Sequence, residues 1–251
     1  MSDVVLRTHA LTRRFGALLV TDRVSFELER GARHALIGPN GAGKTTLVNL
    51  LTGVLAPSEG RIELLGEDIT GLAGHLRVRR GLVRTFQINQ LWPSFTPLQS
   101  LALAVSARLG IAQRWWRALG ADARVARRCD ELLGQMRLGD VAGQCVSELP
   151  YGKQRLLEIA LALACEPRVL LLDEPVAGVP GAERREILDA VAALPEDVSV
   201  LLIEHDMDVV FGFARRMTVL VAGAVFAEGT PEAIARDERV KAVYLGGGAH
   251  G

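Results

Sequence analysis

Residues 38–45 read Gly38-Pro39-Asn40-Gly41-Ala42-Gly43-Lys44-Thr45, with the apolar run Ala35-Leu36-Ile37 before them and apolar residues at helical spacing from Thr45 to Leu55 after them. A strand that ends in a glycine-rich loop and restarts as a helix is the setting in which GxxxxGK, followed by Ser or Thr, cradles phosphates. The glycines let consecutive backbone N–H groups turn inward around the β- and γ-phosphates, and the helix presents its positive N-terminal end to them. Lys44 would supply a point charge to the phosphates and the Thr45 hydroxyl a ligand to Mg²⁺. A glycine-rich turn with an incidental lysine is the competing reading, and the flanking strand and helix count against it.

The loop alone indicates a nucleotide; a second element bears on hydrolysis. Val169-Leu170-Leu171-Leu172 is an apolar run closed by Asp173 and Glu174, as expected of a buried strand whose carboxyl end carries chemistry. Asp173 would hold Mg²⁺ through water, and Glu174 would polarise the attacking water as general base. Around these two elements, runs rich in Val, Leu and Phe predict strands at Val4–His9, Val24–Leu28 and Arg33–Ile37, with turns at Arg14–Gly16 and Arg30–Gly31. Spacing further predicts a strand over Gly60–Leu65, a helical insert from Pro97 to about Val146 and a helix over Lys153–Cys165. A helix over Glu183–Ala193, a strand over Val198–Ile203, two strands around Gly223, a terminal helix over Pro231–Leu245 and a frayed tail complete the reading. Helix and strand alternate through the second half, which predicts a largely parallel sheet covered on both faces.

Of 251 residues, 49% are hydrophobic and 23% charged, and 29 basic side chains balance 29 acidic ones. That composition belongs to a globular chain and excludes disordered and fibrous classes. A zero net charge also weighs against a chain whose main task is wrapping nucleic acid. The basic run Arg77, Arg79, Arg80 and Arg84 reads as a solvated face. Cys129, Cys145 and Cys165 lie far apart and read as buried or half-buried thiols in a reducing compartment, and the histidines lack metal-ligand spacing. Met1 to Gly16 lacks the apolar stretch of a signal peptide, and no segment offers roughly 18 uninterrupted apolar residues, so a cytoplasmic chain is expected.

The order of motifs resembles the nucleotide-binding domain of ABC transporters over essentially the whole chain. It runs from the loop at 38–45 through Gln87 in Arg84-Thr85-Phe86-Gln87, a helical insert, a signature segment at 149–154 and Asp173-Glu174-Pro175 to His205 after a strand. The resemblance implies an α/β P-loop cassette with a largely parallel core sheet, an N-terminal antiparallel β subdomain and a helical subdomain. It implies one domain over 1–251, with 1–94 and 147–251 forming the catalytic core and β subdomain and about 95–146 the helical subdomain. ATP and Mg²⁺ are the implied cofactors. Phe15 would stack on adenine, and Gly38, Pro39, Asn40, Gly41, Ala42, Gly43, Lys44, Thr45 and Thr46 would surround the phosphates. Thr45, Gln87 and Asp173 would serve the metal; Glu174, His205 and Gln87 would form the catalytic group, with His205 at the γ-phosphate. The chemistry suits each role: an aromatic face binds a base without reading its edges, an amide can ligand Mg²⁺ and water together, and an imidazole can donate to the γ-phosphate and bridge to Glu174.

Two motifs depart from the general pattern. Where most members carry LSGGQ, whose serine and glycines contact the γ-phosphate bound to the opposite subunit, this chain has Leu149-Pro150-Tyr151-Gly152-Lys153-Gln154. Pro150 offers neither hydroxyl nor N–H. The nucleotide contact then falls to Tyr151, to Gly152 with a free backbone N–H, and to Lys153, at the positive end of a helix starting near Lys153. After Pro175, where many members have SALD, the chain has Ala177-Gly178-Val179-Pro180, so the aspartate that links the two subunits' sites is absent.

The tyrosine-containing signature, Leu157-Glu158-Ile159-Ala160, the Ala-Gly pair after Asp-Glu-Pro, Ile203 to Met207, Ala242 to Gly246 and Trp92-Pro93 look like the ATP-binding subunits of branched-chain amino-acid importers. Related subunits serve urea and short-amide importers, which stay open as alternatives. On this resemblance the chain is the ATP-hydrolysing motor of an importer, peripheral on the inner face of the cell membrane. Its partners would be a second ATPase subunit, two membrane permeases and, indirectly, a periplasmic solute-binding protein, with no nucleic acid. A lipid-export motor or a soluble ABC ATPase acting on DNA or ribosomes is the alternative class; DNA-repair members carry a long coiled-coil insert and translation members two cassettes, and this chain has a short insert and one cassette. Arg114-Trp115-Trp116-Arg117 in the insert reads as core packing of one ring, with partner contact as the competing reading.

Overall fold

A computed structural model describes residues 3–85, 91–111 and 122–246. In chain order these form β1 (Val4–Phe15), β2 (Leu18–Glu29), β3 (Arg33–Ile37), α1 (Lys44–Thr52), β4 (Glu59–Leu64), β5 (Glu67–Asp68), α2 (Gly74–Arg79) and β6 (Leu82–Arg84). There follow α3 (Pro97–Arg108), α4 (Ala123–Gln135), α5 (Tyr151–Ala164), β7 (Val169–Asp173), α6 (Gly181–Ala192), β8 (Ser199–Ile203), α7 (Met207–Phe213), β9 (Arg216–Val221), β10 (Ala224–Gly229), α8 (Pro231–Arg236) and α9 (Glu238–Gly246). Contacts divide the chain into two compact units, one over 1–84, 168–174 and 195–251 and the other over 85–167 and 175–194.

The first unit holds all the described strands. β2, β1, β4 and β5 form an antiparallel sheet in that order. In β2 the alternate residues Val24, Phe26 and Leu28 are buried, the period-two pattern of a strand with one face on a core. The second sheet runs β10-β9-β3-β8-β7-β6. All its pairings are parallel except the β9–β10 hairpin, whose two-residue turn places Ala222 at φ 47 and Gly223 at φ 82. Positive φ at both positions is what a tight hairpin turn needs to match strand twist.

Strands β3, β7 and β8 are buried at every position, because helices or the antiparallel sheet cover both faces. On one face Leu36, Leu171 and Leu201 pack with Leu47, Leu50 and Leu51 of α1 and with Val24 and Phe26. On the other Ala35, Ile37, Met217 and Val219 pack with Val210 of α7, Ile234 of α8 and Val240 of α9.

The second unit is helical. Thr96 opens α3 with a reciprocal capping box to Gln99, and Asp122 caps α4. Two short 3₁₀ turns, Gly139–Val141 and Val146–Glu148, lead into α5. The apolar stripes of α3 (Leu101, Val105), α4 (Val125, Cys129, Leu132) and α5 (Leu156, Ile159, Leu163) are buried.

Three expectations change. The terminal helix is two helices, because Asp237 takes an extended conformation between α8 and α9 and its carboxylate accepts the Arg239 N–H at 2.9 Å. The helix expected from Lys153 starts at Tyr151. The basic run is not one solvated face: Arg79 and Arg80 are exposed, but Arg77 is only 1% exposed. Its Nη1 donates to Leu50 O and Leu51 O, both at 2.7 Å, its Nη2 to Thr70 O at 2.8 Å and its Nε to Leu72 O at 2.9 Å. It thereby serves carbonyls in the last turn of α1, where the regular run of helical N–H donors has ended.

Candidate active site

Leu36 of β3 pairs with Ile203 of β8, and Ile203 pairs with Asp173 of β7. The three parallel strands therefore end level, and the loop at 38–43, Glu174 and His205 all leave the sheet at its carboxyl edge. In the loop, Gly43 stands at φ 95, and a Cβ there would lie 2.7 Å from the carbonyl oxygen of Val20. A larger residue would push the loop off β2. Gly43 is also the N-cap of α1 and has no side chain to cap it, so the first-turn N–H groups retain the positive end that suits an anion. The Lys44 ammonium donates to Gly38 O at 2.6 Å and Pro39 O at 3.0 Å. Burial pushes its pKa below the ordinary lysine value, and the charges of Glu174 and Asp173 oppose that shift. Thr45 and Asn40 are exposed, and Thr46 is half-buried.

Asp173 ends β7 and is 6% exposed. Its Oδ2 accepts from Arg84 Nη2, while Arg84 Nη1 donates to Asn49 Oδ1 at 2.8 Å. A guanidinium thus ties β7 to α1 at the acid expected to serve the metal. Glu174 follows in the left-handed region at φ 47, its N–H donating to Ile203 O at 2.9 Å. A non-glycine residue in that region costs of order 1–3 kcal/mol and persists where its surroundings over-determine it. His205 Nδ1 lies 3.2 Å from Glu174 Oε1, so the structure brings together two of the three residues that the sequence pointed to as catalytic.

Glu204 lies behind them, 1% exposed, with Oε2 accepting the N–H of His205 at 3.0 Å and of Asp206 at 3.3 Å. Burial raises its carboxyl above the usual range. It fixes the backbone from which His205 projects. Phe15 ends β1, is 44% exposed and carries the Arg13 guanidinium 4.6 Å from its ring centroid, so it is not a core residue. Gln87 and the pair Trp115-Trp116 lie outside the described residues.

The signature segment belongs to the second unit. Pro150 is the N-cap of α5 and gives no side-chain cap. The Gly152 N–H, expected to be free, donates to Glu183 Oε2 at 2.7 Å. Lys153 Nζ donates to Arg137 O at 2.6 Å and to Glu186 Oε1 at 3.0 Å. Tyr151 has Arg155 over its ring at 5.4 Å, and a Cβ on Gly178, at φ 71, would lie 3.7 Å from its Cε1.

The sequence profile of the ABC transporter family matches residues 21–177. The chain belongs to the ABC transporter family, as an ATP-binding cassette. A second profile, described as that of the branched-chain amino acid ATP-binding cassette transporter, matches the cassette at 224–250. The high-affinity branched-chain amino acid transport ATP-binding protein BraF of Pseudomonas aeruginosa is 40% identical over 255 residues, covering 98% of the cassette and 99% of BraF. LivG of Escherichia coli, of the same description, is 38% identical over 253 residues, covering 98% and 99%. The crystal structure of an ATP-binding cassette of an ABC transporter in its ADP conformation matches with a TM-score of 0.85 at 29% identity, covering 97% and 99% of the two chains. The cassette is therefore an ATPase whose activity is coupled to transport, of a kind that dimerises and works with membrane permeases. No described helix is long and apolar enough to cross a membrane.

Sequence reading missed Arg84 with Asn49, Glu204, and the pair Glu183 and Glu186. Glu204 carried a signal, since an acid directly after the apolar run Leu201-Leu202-Ile203 sits where a strand is still buried. The others are partners 31 to 89 positions away in sequence, and no local pattern marks them.

Proposed function

We propose that this cassette is the motor subunit of an importer for branched-chain amino acids, held on the inner face of the cell membrane. Its partners are a second ATPase subunit, two permeases and, indirectly, a periplasmic solute-binding protein. The solute is supported by the profile match at 224–250 and by full-length likeness to BraF and LivG, whose names carry that solute. The catalytic reading rests on one observation, the approach of His205 Nδ1 to Glu174 Oε1 at the carboxyl edge of the parallel sheet.

In this reading the loop at 38–43, Lys44, Thr46 and the N-terminal end of α1 bind the β- and γ-phosphates, and Phe15 lies against adenine. Asp173, Thr45 and Gln87 are oxygen donors of the kind Mg²⁺ takes, and Asp173 has a cation, the Arg84 guanidinium, against it. The metal, when bound, neutralises charge on the phosphate oxygens. Glu174 accepts a proton from the attacking water as the water's oxygen adds to the γ-phosphorus, and ADP leaves. His205 orients Glu174 through Nδ1, and Nε2 faces the γ-phosphate. Tyr151, Gly152 and Lys153 serve the nucleotide bound to the opposite subunit.

The test is uptake by proteoliposomes holding the cassette, its partner ATPase and the two permeases, supplied with binding protein and internal ATP. Labelled leucine, isoleucine and valine should accumulate, with Glu174→Gln abolishing uptake. Accumulation of urea or a short amide in their place would overturn the solute assignment.

A further inference from the structure

Helix α6 carries Glu183 in its first turn and Glu186 three residues on, the spacing that sets two side chains on one helix face. Both reach the first turn of α5. Glu183 Oε2 accepts the Gly152 N–H at 2.7 Å, and Glu186 Oε1 accepts from the Lys153 ammonium at 3.0 Å, with Asp140 Oδ1 3.6 Å from the same ammonium. Pro150, the N-cap, supplies no side-chain acceptor. Glu183 therefore does for α5 what a capping serine does for other helices, but with a full negative charge and from a different helix. The fit leaves no room for another group: a Cβ on Gly152 would lie 2.9 Å from Glu183 Cβ and closer still to Oε2.

We infer that Glu183 is a positioning residue for the reaction at the opposite subunit's nucleotide: its carboxylate holds the Gly152 donor, and the γ-phosphate takes that donor only by displacing it. The inference rests on the reading above, in which the signature meets the nucleotide of the opposite subunit. One backbone N–H serves one strong acceptor, and two anions at the same helix terminus repel each other. Approach of the phosphate therefore sends Glu183 away from α5. The Lys153 ammonium has three donors and keeps one on Glu186 while it serves the nucleotide, so α5 remains tied to α6 while the first turn of α6 shifts. That turn begins directly after Ala177-Gly178-Val179-Pro180, the segment that lacks the aspartate linking the two sites in other cassettes. In this chain the exchange at Gly152 supplies a link in its place.

The test reads closure of the two ATPase subunits in the assembled transporter by fluorescence energy transfer as ATP is added, with hydrolysis blocked by Glu174→Gln and the partner's matching substitution. Glu183→Gln keeps an oxygen for the Gly152 N–H and removes the charge. It should lower the ATP concentration for half-maximal closure by roughly threefold to tenfold, with an unchanged thermal unfolding midpoint. Glu183→Ala should lower it as well and also lower the midpoint, since the helix loses its cap. A Gln variant whose closure curve overlays the parent's overturns the inference, whether or not the Ala variant folds. Failure of the underlying reading looks different: the parent itself then shows no ATP-dependent closure at any concentration.

Discussion

His205 Nδ1 stands 3.2 Å from Glu174 Oε1, although the two residues leave the sheet from different strands. Adjacent parallel strands in register make the contact, and the left-handed backbone of Glu174 turns its carboxylate to that edge. Glu174→Gln keeps the size and hydrogen bonding of the side chain but cannot take a proton. It should lower kcat by about 10²–10⁴-fold while ATP still binds, as read by steady-state ATPase assays and nucleotide titration. Turnover at the parent rate would remove Glu174 from the role of base.

Lys44 tests the phosphate loop. Its ammonium already lies among loop carbonyls, at 2.6 Å from Gly38 O and 3.0 Å from Pro39 O. A compact charge on a flexible stem fits that cradle, where a planar guanidinium does not. Lys44→Ala should weaken ATP binding by at least about tenfold, and Lys44→Arg should fail to restore it. Calorimetric titration decides this; ATP affinity equal to the parent's in either variant removes Lys44 from phosphate binding.

The features legible in the sequence share a short range. Gly38 to Thr45, Val169 to Glu174 and the strands flanking Gly223 each announce themselves within about ten residues, because strand, turn and helix-start chemistry is local. The fold class followed from their order. What stayed hidden depends on distant partners. Arg77 sits in a run that looks solvated, and only the C-terminal end of α1, with carbonyls at Leu50 and Leu51, explains its burial. Gly152 looked free because its acceptor belongs to another helix. The short helices α2 and α7, with six and seven residues, are too brief for a 3.6-residue period to show.

Arg77 gives a stability prediction. Four backbone carbonyls, of Leu50, Leu51, Thr70 and Leu72, accept from its guanidinium. Arg77→Met fills the space but removes the guanidinium from all four; Leu50 O keeps the Gly53 N–H at 3.3 Å, and the loss at the others should cost about 3 kcal/mol or more. Urea unfolding measures the loss, and Arg77→Lys should recover part of it. A Met variant within about 0.5 kcal/mol of the parent would show that water satisfies the carbonyls equally well.

His34 gives a pH prediction. It is buried, with Nε2 2.8 Å from Thr218 Oγ1 and its ring edge-on to Phe26 at 5.0 Å. Burial, helped by the nearby charge of Arg216, pushes its pKa from 6.5 down to about 4. The unfolded chain therefore binds a proton at His34 between those values and the folded chain does not. The contribution to stability is complete above about pH 6.5 and is lost as pH falls toward about 4, amounting to about 3 kcal/mol. Urea unfolding at pH 7, 5.5 and 4.5 should show the decline, and His34→Gln should flatten its share of it. An unchanged slope in that variant assigns the decline to other groups.

Arg84 bears on the metal. Its side chain is 11% exposed and that of Asp173 8%, so the pair is screened from water. Arg84→Met takes away the ion-pair partner of a buried carboxylate, and the expected cost is about 3–5 kcal/mol. If Asp173 serves Mg²⁺ as proposed, Mg²⁺ with ATP should restore more stability to this variant than to the parent, because a divalent cation replaces the missing guanidinium charge at the carboxylate. The measurement is the rise in thermal midpoint on adding ATP with Mg²⁺, compared with ATP and chelator, in both proteins. Equal rises would mean that the metal does not act at Asp173.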